Sequence, residues 1–383
     1  MTRLQLLLAC SLPLAVFACS ESSVFSSAGD DDDAVGAGSP GQGSNGNHGG
    51  TATPPTAAPG ESAGPPSDDG TPLPPSATLP AVDASTPPQA GILTAGAWDD
   101  NANFARWEPL RTSPGALASA LPISLAEQVE ASALWNAAQG ERQTIDVSLV
   151  IDTTGSMGDE LGYVTRELES IAQRIQRSYP RASPRWSLVV YRDRGDAYVE
   201  RHVDFETDVA AFRQRLGAQT AGGGGDFPEA PDAALAAMNA LAWRANASAA
   251  KVAFWIADAP PHEENLEAMA DAIRGAKERG VHVYPIASSG IDEHTEYVMR
   301  ATAQLTGGRY LFLTDDSGVG ESHLEPKVPC FYVTKLDDAI LRVVDHELTG
   351  THRLPMASET VRTSGQPVEG RCQSADAGLT TAY

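Results

Sequence analysis

The run "VIDTTGSM", residues 150–157, breaks an apolar stretch at Asp152 and then alternates an aspartate, a threonine and a serine with small residues. In an extended turn Asp152, Thr154 and Ser156 point to one side, because alternate residues of an extended chain face the same way. Gly155 permits the tight backbone that such a turn needs. Two distant segments can add to the set: "GGDFPEA" carries Asp226 and Glu229, and "ADAPPH" carries Asp258. Carboxylates among hydroxyls are hard oxygen ligands, suited to Mg²⁺, Mn²⁺ or Ca²⁺ rather than zinc. No Cys or His cluster in the sequence competes with them.

Other chemistries find less in the sequence. The run Gly222 to Gly225 could cradle a phosphate, but no G-K-[ST] follows it, so it reads as a flexible turn presenting Asp226 and Glu229. Ser156 and Ser288 have no evident histidine partner, which leaves hydrolase chemistry weakly supported. His262, after Pro260 and Pro261, reads as a loop hydrogen-bonder, with a base or ligand as the alternative.

These residues act together only if the elements around them bring them to one rim. From Thr144 onward strand and helix patterns alternate. "IDVSLVID" (145–152) is apolar enough for a strand covered on both faces. Leu161, Val164, Leu168, Ile171 and Ile175 then recur at three- and four-residue steps, which predicts a helix with one apolar stripe. Strands are expected at "RWSLVVYRD", "YVERHVDF", "KVAFWIAD", "HVYPIAS" and "RYLFL". Helices are expected near 209–216, 230–243, 265–280 and 296–305, with "LDDAILRVVDHEL" closing the domain. The fold class that follows is α/β: a doubly wound, mostly parallel sheet flanked by helices. Ligands of such sheets bind beyond the carboxyl ends of the strands. Asp152 and Asp258 each end a buried strand, so both belong to that rim, together with the glycine loop before Ala230.

"DTTGSM" with "ADAPPH" at a strand end resembles the metal-ion-dependent adhesion site of von Willebrand factor type A domains, over roughly Ile145 to Gly350. Within that family the motifs are similar to the integrin β-subunit version, which has D-x-S-x-S-M-x-D-D against Asp152 to Glu160, D-x-P-E against Asp226 to Glu229, and D-A-x-x-H against Asp258 to His262. The resemblance implies a type A, Rossmann-like fold and one divalent ion, Mg²⁺ or else Mn²⁺ or Ca²⁺. Thr154, Ser156 and Glu229 would bind the ion directly, and Asp152 and Asp258 through water. It further implies a second metal at Asp159 and Glu160, and a third at Asp226, the Pro228 carbonyl and Glu229, although Gly224 stands where the family has an asparagine. An open coordination position would take an acidic residue of a protein partner. "DTTGS" is also similar to the D-K-T-G-T of P-type ATPases, where the aspartate is a nucleophile; Thr153 replaces the lysine, and no membrane span accompanies it.

The rest of the chain predicts where this head works. Arg3, the apolar run Leu4 to Phe17 and "VFAC" (16–19) resemble a bacterial lipoprotein signal, which implies cleavage after residue 18 and lipidation of Cys19. Ser20 after that cysteine is similar to outer-membrane sorting. Residues 19–91 are mostly Ser, Gly, Pro, Thr, Ala and Asp, with no Lys or Arg between Arg3 and Arg106. A disordered tether is expected there, with a reach of roughly 50 Å. Asp30 to Asp33 read as a solvated acidic run within it.

Residues 92–143 are expected to form a lead-in packing on the head. Trp98, Phe104 and Trp107 are its buried aromatics, Leu125, Val129 and Leu134 a helix stripe, and Asp99 and Asp100 a turn or cap. The head domain is bounded at 144–350, and 351–383 reads as a loosely ordered tail. Cys330 and Cys372 are left to form a disulfide in an oxidising compartment.

The formal charge of -23 excludes a nucleic-acid partner, since affinity for phosphate backbones comes from clustered Lys and Arg. The expectation is a lipid-anchored envelope protein that binds a protein ligand through a metal and is not itself an enzyme. The alternative is an accessory subunit of an envelope enzyme, or a cryptic metal-dependent hydrolase, using the same rim.

Overall fold

The computed structural model describes residues 87–98, 121–135, 140–374 and 378–382, all within the compact unit Thr71–Tyr383. The leader, Cys19, most of the tether, and Asp99, Asp100, Phe104 and Trp107 lie outside the described residues.

Eleven strands and seven helices of two turns or more occur among the described residues. In chain order they are β1 (Thr94–Trp98), α1 (Leu125–Trp135), β2 (Thr144–Asp152), α2 (Leu161–Ser178), β3 (Arg185–Tyr191), β4 (Glu200–Glu206) and α3 (Val209–Leu216). Then come α4 (Pro231–Ala240), β5 (Ala249–Ala257), α5 (Leu266–Arg279), β6 (His282–Ala287), α6 (Glu293–Thr306), β7 (Tyr310–Leu313), β8 (Cys330–Lys335) and α7 (Leu336–Thr349). The chain closes with β9 (Thr360–Gly365), β10 (Arg371–Ser374) and β11 (Gly378–Thr381).

Nine strands form one sheet in the order β4-β3-β2-β5-β6-β7-β1-β8-β9. The run β3-β2-β5-β6-β7 is parallel, while β4, β1 and β9 join antiparallel to their neighbours. The expected doubly wound α/β sheet is therefore present. Alternation along the central strands divides the core in two. Ile145, Val147, Leu149 and Ile151 of β2 pack with α2, α3 and α7 on one face. Val150 joins Trp255 and the helices α4, α5 and α6 on the other. The predicted stripe of α2 is buried throughout, with Leu161, Val164, Leu168, Ile171 and Ile175 each 3% exposed or less.

Caps set the ends that matter near the rim. Asp208 accepts from the backbone N–H of Ala210 and Ala211 to start α3, and Asp292 accepts from Thr295 to start α6. Gly307 and Gly350 adopt the left-handed conformation that ends α6 and α7.

Three expectations are corrected. First, residues 92–143 do not merely pack on the head: β1 lies inside the sheet between β7 and β8, pairing Ala95 with Leu313 and Thr94 with Lys335. The boundary at residue 144 therefore cuts through the sheet. Second, α1 forms, but Leu125 and Val129 are 53% and 62% exposed, while Gln128 and Ala131 are buried. A hydrophobic stripe is a poor guide in a helix whose packing face is made by small and polar residues. Third, residues 351–383 are not uniformly loose. β9 extends the sheet edge beside β8, and β10 pairs with β11. A disulfide joins Cys330 to Cys372, whose Cα atoms are 5.5 Å apart, and packs against Trp98 and Ala382.

Candidate metal centre

Strand β2 is flanked by β3, its successor in the chain, on one side and by β5 on the other. The chain thus diverges to both sides of β2, and the crevice beyond its carboxyl end is where such sheets bind ligands. Asp152 is the last residue of β2, and Asp258 follows the last residue of β5, so the two carboxylates face the crevice from adjacent strands. Both are buried.

The turn after β2 has the predicted one-sided arrangement. Asp152 Oδ1 accepts from the backbone N–H of Thr154 at 2.9 Å and from its hydroxyl at 2.7 Å. Thr154 Oγ1 lies 3.2 Å from Ser156 Oγ, and Ser156 lies near enough to Asp258 to favour its ionised carboxyl.

Gly155 differs from expectation in its reason. Its φ of -65° is open to any residue, but a Cβ there would sit 2.9 Å from the carbonyl oxygen of Gly223. The glycine allows the loop 222–225 to close onto the turn, through Gly155 N–H to Gly223 O at 3.1 Å and Gly222 N–H to Thr153 O at 3.1 Å.

That closure delivers Glu229. Its backbone N–H donates to Pro260 O at 2.9 Å, and it bridges to Pro261, which fixes the loop beside the end of β5. Gly224 has φ +70°, and a Cβ on it would come within 2.8 Å of Glu229 Oε1 and 3.3 Å of Thr154 Cβ. Glu229 and Thr154 thus both border Gly224, and the five predicted residues Asp152, Thr154, Ser156, Glu229 and Asp258 stand at one rim. Ser156, Asp226, Phe227 and Glu229 line an open groove of about 460 Å³ floored by glycines.

The electrostatics of this rim call for a cation. Asp152 Oδ2, Glu229 Oε2 and Asp258 Oδ1 are buried and meet no hydrogen-bond partner. Burial, then the charge of Asp258, pushes the Asp152 carboxyl up to about 7. Burial and Asp152 push Glu229 up to about 9. Burial raises Asp258 to about 6 against the pull of Ser156. Carboxylates so placed resist ionising together unless a positive charge joins them. Among the described residues no three His, Cys, Asp or Glu side chains close on one point as a cage; the hydroxyls of Thr154 and Ser156 stand 3.2 Å apart beside Asp152. The donor set is all oxygen, as a hard divalent cation requires, so the residues fit the group.

The two further metal expectations fare differently. Glu160 is fully buried and committed to protein partners: Oε1 accepts from the backbone N–H of Ser289 at 2.7 Å, and Oε2 lies 3.2 Å from His323 Nε2. Asp159 is exposed. Glu160 thereby ties the start of α2 to the segment after β6. Asp226 stands exposed on the groove, with Pro228 between it and buried Glu229.

Sequence reasoning missed the support behind the rim. Asp196 accepts from Gly224 N–H at 2.8 Å and from Asp193 N–H at 3.2 Å, pinning the glycine loop. His262 Nε2 lies 2.7 Å from Asp193 Oδ1, which makes it the loop hydrogen-bonder of the two expected roles. Trp255 Nε1 donates to the Tyr191 hydroxyl at 3.1 Å, and that hydroxyl in turn lowers Asp152. The one readable signal was "YRDRGD" directly after a strand end.

Residues 146–319 match the family described as von Willebrand factor A domain, and the match and the fold together support such a domain over that segment. Among curated proteins, a putative ariadne-like RING finger protein of Acanthamoeba polyphaga mimivirus is 28% identical over 188 residues, covering 44% of this chain and 18% of that protein. The alpha-protein kinase vwkA of Dictyostelium discoideum is 23% identical over 157 residues, 40% of this chain and 25% of that one. The chain thus spans a quarter or less of the curated relatives it matches. Among solved structures, the pilus adhesin SpaC of Lactobacillus rhamnosus GG in its open conformation has a TM-score of 0.34 and 14% identity, covering 44% of this chain and 28% of that chain. A conserved hypothetical protein, BatB of Bacteroides thetaiotaomicron, has a TM-score of 0.34 and 13% identity, covering 45% and 93%.

Proposed function

We propose that the rim at the ends of β2 and β5 binds one divalent cation, Mg²⁺ or else Mn²⁺ or Ca²⁺, and that the head uses it to bind an acidic residue of a protein partner. The observation that carries this reading is that Asp152, Glu229 and Asp258, each with a buried oxygen that meets no hydrogen-bond partner, stand at the same rim as the adjacent hydroxyls of Thr154 and Ser156. Thr154, Ser156 and Glu229 would hold the cation directly, with Asp152 and Asp258 behind them. When bound, a hard cation supplies a position that favours a carboxylate oxygen over other protein groups. Asp152 orients the Thr154 hydroxyl, Asp258 orients Ser156, and the glycine floor leaves an extended peptide room to approach. Ser156 has Thr154 and Asp258 beside it rather than an imidazole, which favours binding over the enzymatic alternative.

The likeness of residues 3–19 to a lipoprotein signal, followed by a Pro- and Gly-rich segment, supports a lipid anchor at the cell envelope with the head facing partners beyond the membrane surface. No helix among the described residues is long and apolar enough to cross a membrane. Capture from an envelope extract tests the reading. The full chain should retain a partner in Mg²⁺ and release it in chelator, and Glu229→Gln should retain none. A partner held equally with and without chelator, or turnover of a substrate at the rim, would overturn it.

A further inference from the structure

Phe227 stands on the loop that leads into α4 and is 45% exposed, the one aromatic among the large apolar side chains exposed in the described residues. It lines the open groove together with Ser156, Asp226 and Glu229. The backbone on both sides of it is fastened. Gly222 N–H donates to Thr153 O at 3.1 Å and Gly224 N–H to Asp196 at 2.8 Å, while Glu229 N–H donates to Pro260 O at 2.9 Å. Residues 225–228 therefore arch between two fixed points, and Pro228 removes one backbone rotation from the arch. A ring presented by so short an arch loses little conformational freedom when a partner covers it.

The floor of the groove accepts main chain. A Cβ on Gly225 would meet nothing within 4 Å, so a partner's backbone has room to lie there. The charge of the groove is one-sided, because its lining includes Asp226 and Glu229 and no Lys, Arg or His. A carboxylate is admitted only by the ion, and a second one on the same segment would meet exposed Asp226 with no counter-charge. Apolar surface against Phe227 is what remains favourable beside the acid. A groove of about 460 Å³ is on the order of 8 Å across, which is two residues of extended chain.

Resting on the metal-centre reading above, we propose that the partner segment is an extended peptide with a single acid and a Leu-sized or aromatic side chain within two residues of it. The acid meets the ion, and the apolar side chain covers Phe227. Phe227 thus sets which acidic segments bind, while the ion sets that they bind at all.

Three fluorescent decapeptides of Gly and Ser with one central Asp test this on the full chain in Mn²⁺. They differ only at the two positions on either side of the Asp, which are Leu, Ser or Glu. By anisotropy the Leu peptide should bind about tenfold more tightly than the Ser peptide, the value of covering the exposed part of the ring, and the Glu peptide most weakly. Phe227→Ala should bring the Leu and Ser peptides to equal affinity, and Phe227→Leu should keep the preference. A photoreactive Leu analogue in the Leu peptide should crosslink within residues 225–228. Calorimetric titration of Mn²⁺ into the same samples is read separately and should show one ion bound throughout. With the ion bound, equal affinities in the wild type, a preference that survives Phe227→Ala, or no peptide held would overturn the proposal and leave the metal centre standing. A wild type that takes up no Mn²⁺ would overturn the metal centre, and the proposal with it.

Discussion

At the residue scale, the rim depends on how closely backbone and carboxylate approach each other. Gly224 shows this best. Its positive φ, and the 2.8 Å that would separate a Cβ there from Glu229 Oε1, leave no room for a side chain. Gly224→Ala should therefore displace Glu229, lowering affinity for Mn²⁺ by at least about tenfold, as losses around a metal shell do. The fold itself should lose only about 1 kcal/mol. Calorimetric titration alongside thermal unfolding separates the two effects, and unchanged affinity would show that Glu229 is not a ligand. The acidic and hydroxyl residues were legible in the sequence because strand ends and D-x-T-x-S spacing identify them. Asp193, Asp196 and His262 were not, since "DRGDAY" looks like any solvated turn until the glycine loop folds over it. The partners of Glu160 were hidden for the complementary reason: a motif position does not reveal that Ser289 and His323 will stand at its two oxygens.

At the scale of elements, long patterned segments were readable and short or mixed ones were not. The stripe of α2 and the apolar runs of β2 and β5 announce themselves by period. β1 does not, because "TAGAW" is five small or aromatic residues whose partners β7 and β8 lie over two hundred positions away. Where it enters the sheet, Gly91 N–H donates to Glu167 of α2, and Lys335 Nζ donates to Gly91 O at 2.6 Å. Burial, with Asp337 nearby, lifts the Glu167 carboxyl from 4.5 to about 7. Between those values the folded chain keeps a proton that the unfolded chain has released, so stability falls as pH rises through the window and stays reduced above it. Glu167→Gln retains an acceptor for Gly91 and cannot ionise. It should match wild type at pH 4 and exceed it at pH 8, by up to about 3 kcal/mol. Denaturant melts at the two values check this, and a pH-independent difference would contradict it. The disulfide makes a parallel demand on the last third of the chain. Closing 42 residues between Cys330 and Cys372 should contribute up to about 4 kcal/mol. The double variant Cys330→Ala, Cys372→Ala should lower the midpoint of unfolding, and a wild type unaffected by reductant would count against the bond.

At the scale of the whole molecule, the doubly wound sheet explains why residues as distant as Asp152, Glu229 and Asp258 meet at one rim. Parallel strands ending at one edge, with the chain diverging on either side of β2, leave a crevice that only loops can line. That much followed from alternating strand and helix patterns. The true extent of the unit did not, because β1 before the head and β9 after it complete the sheet from segments whose composition suggests linkers. The central claim is that the rim is a metal centre, and isothermal titration of Mg²⁺, Mn²⁺ and Ca²⁺ into the full chain tests it most directly. Saturable binding of one ion to the wild type, and none to Asp152→Ala of unchanged fold, is the expected result. No binding to the wild type, or equal binding to both, would contradict it.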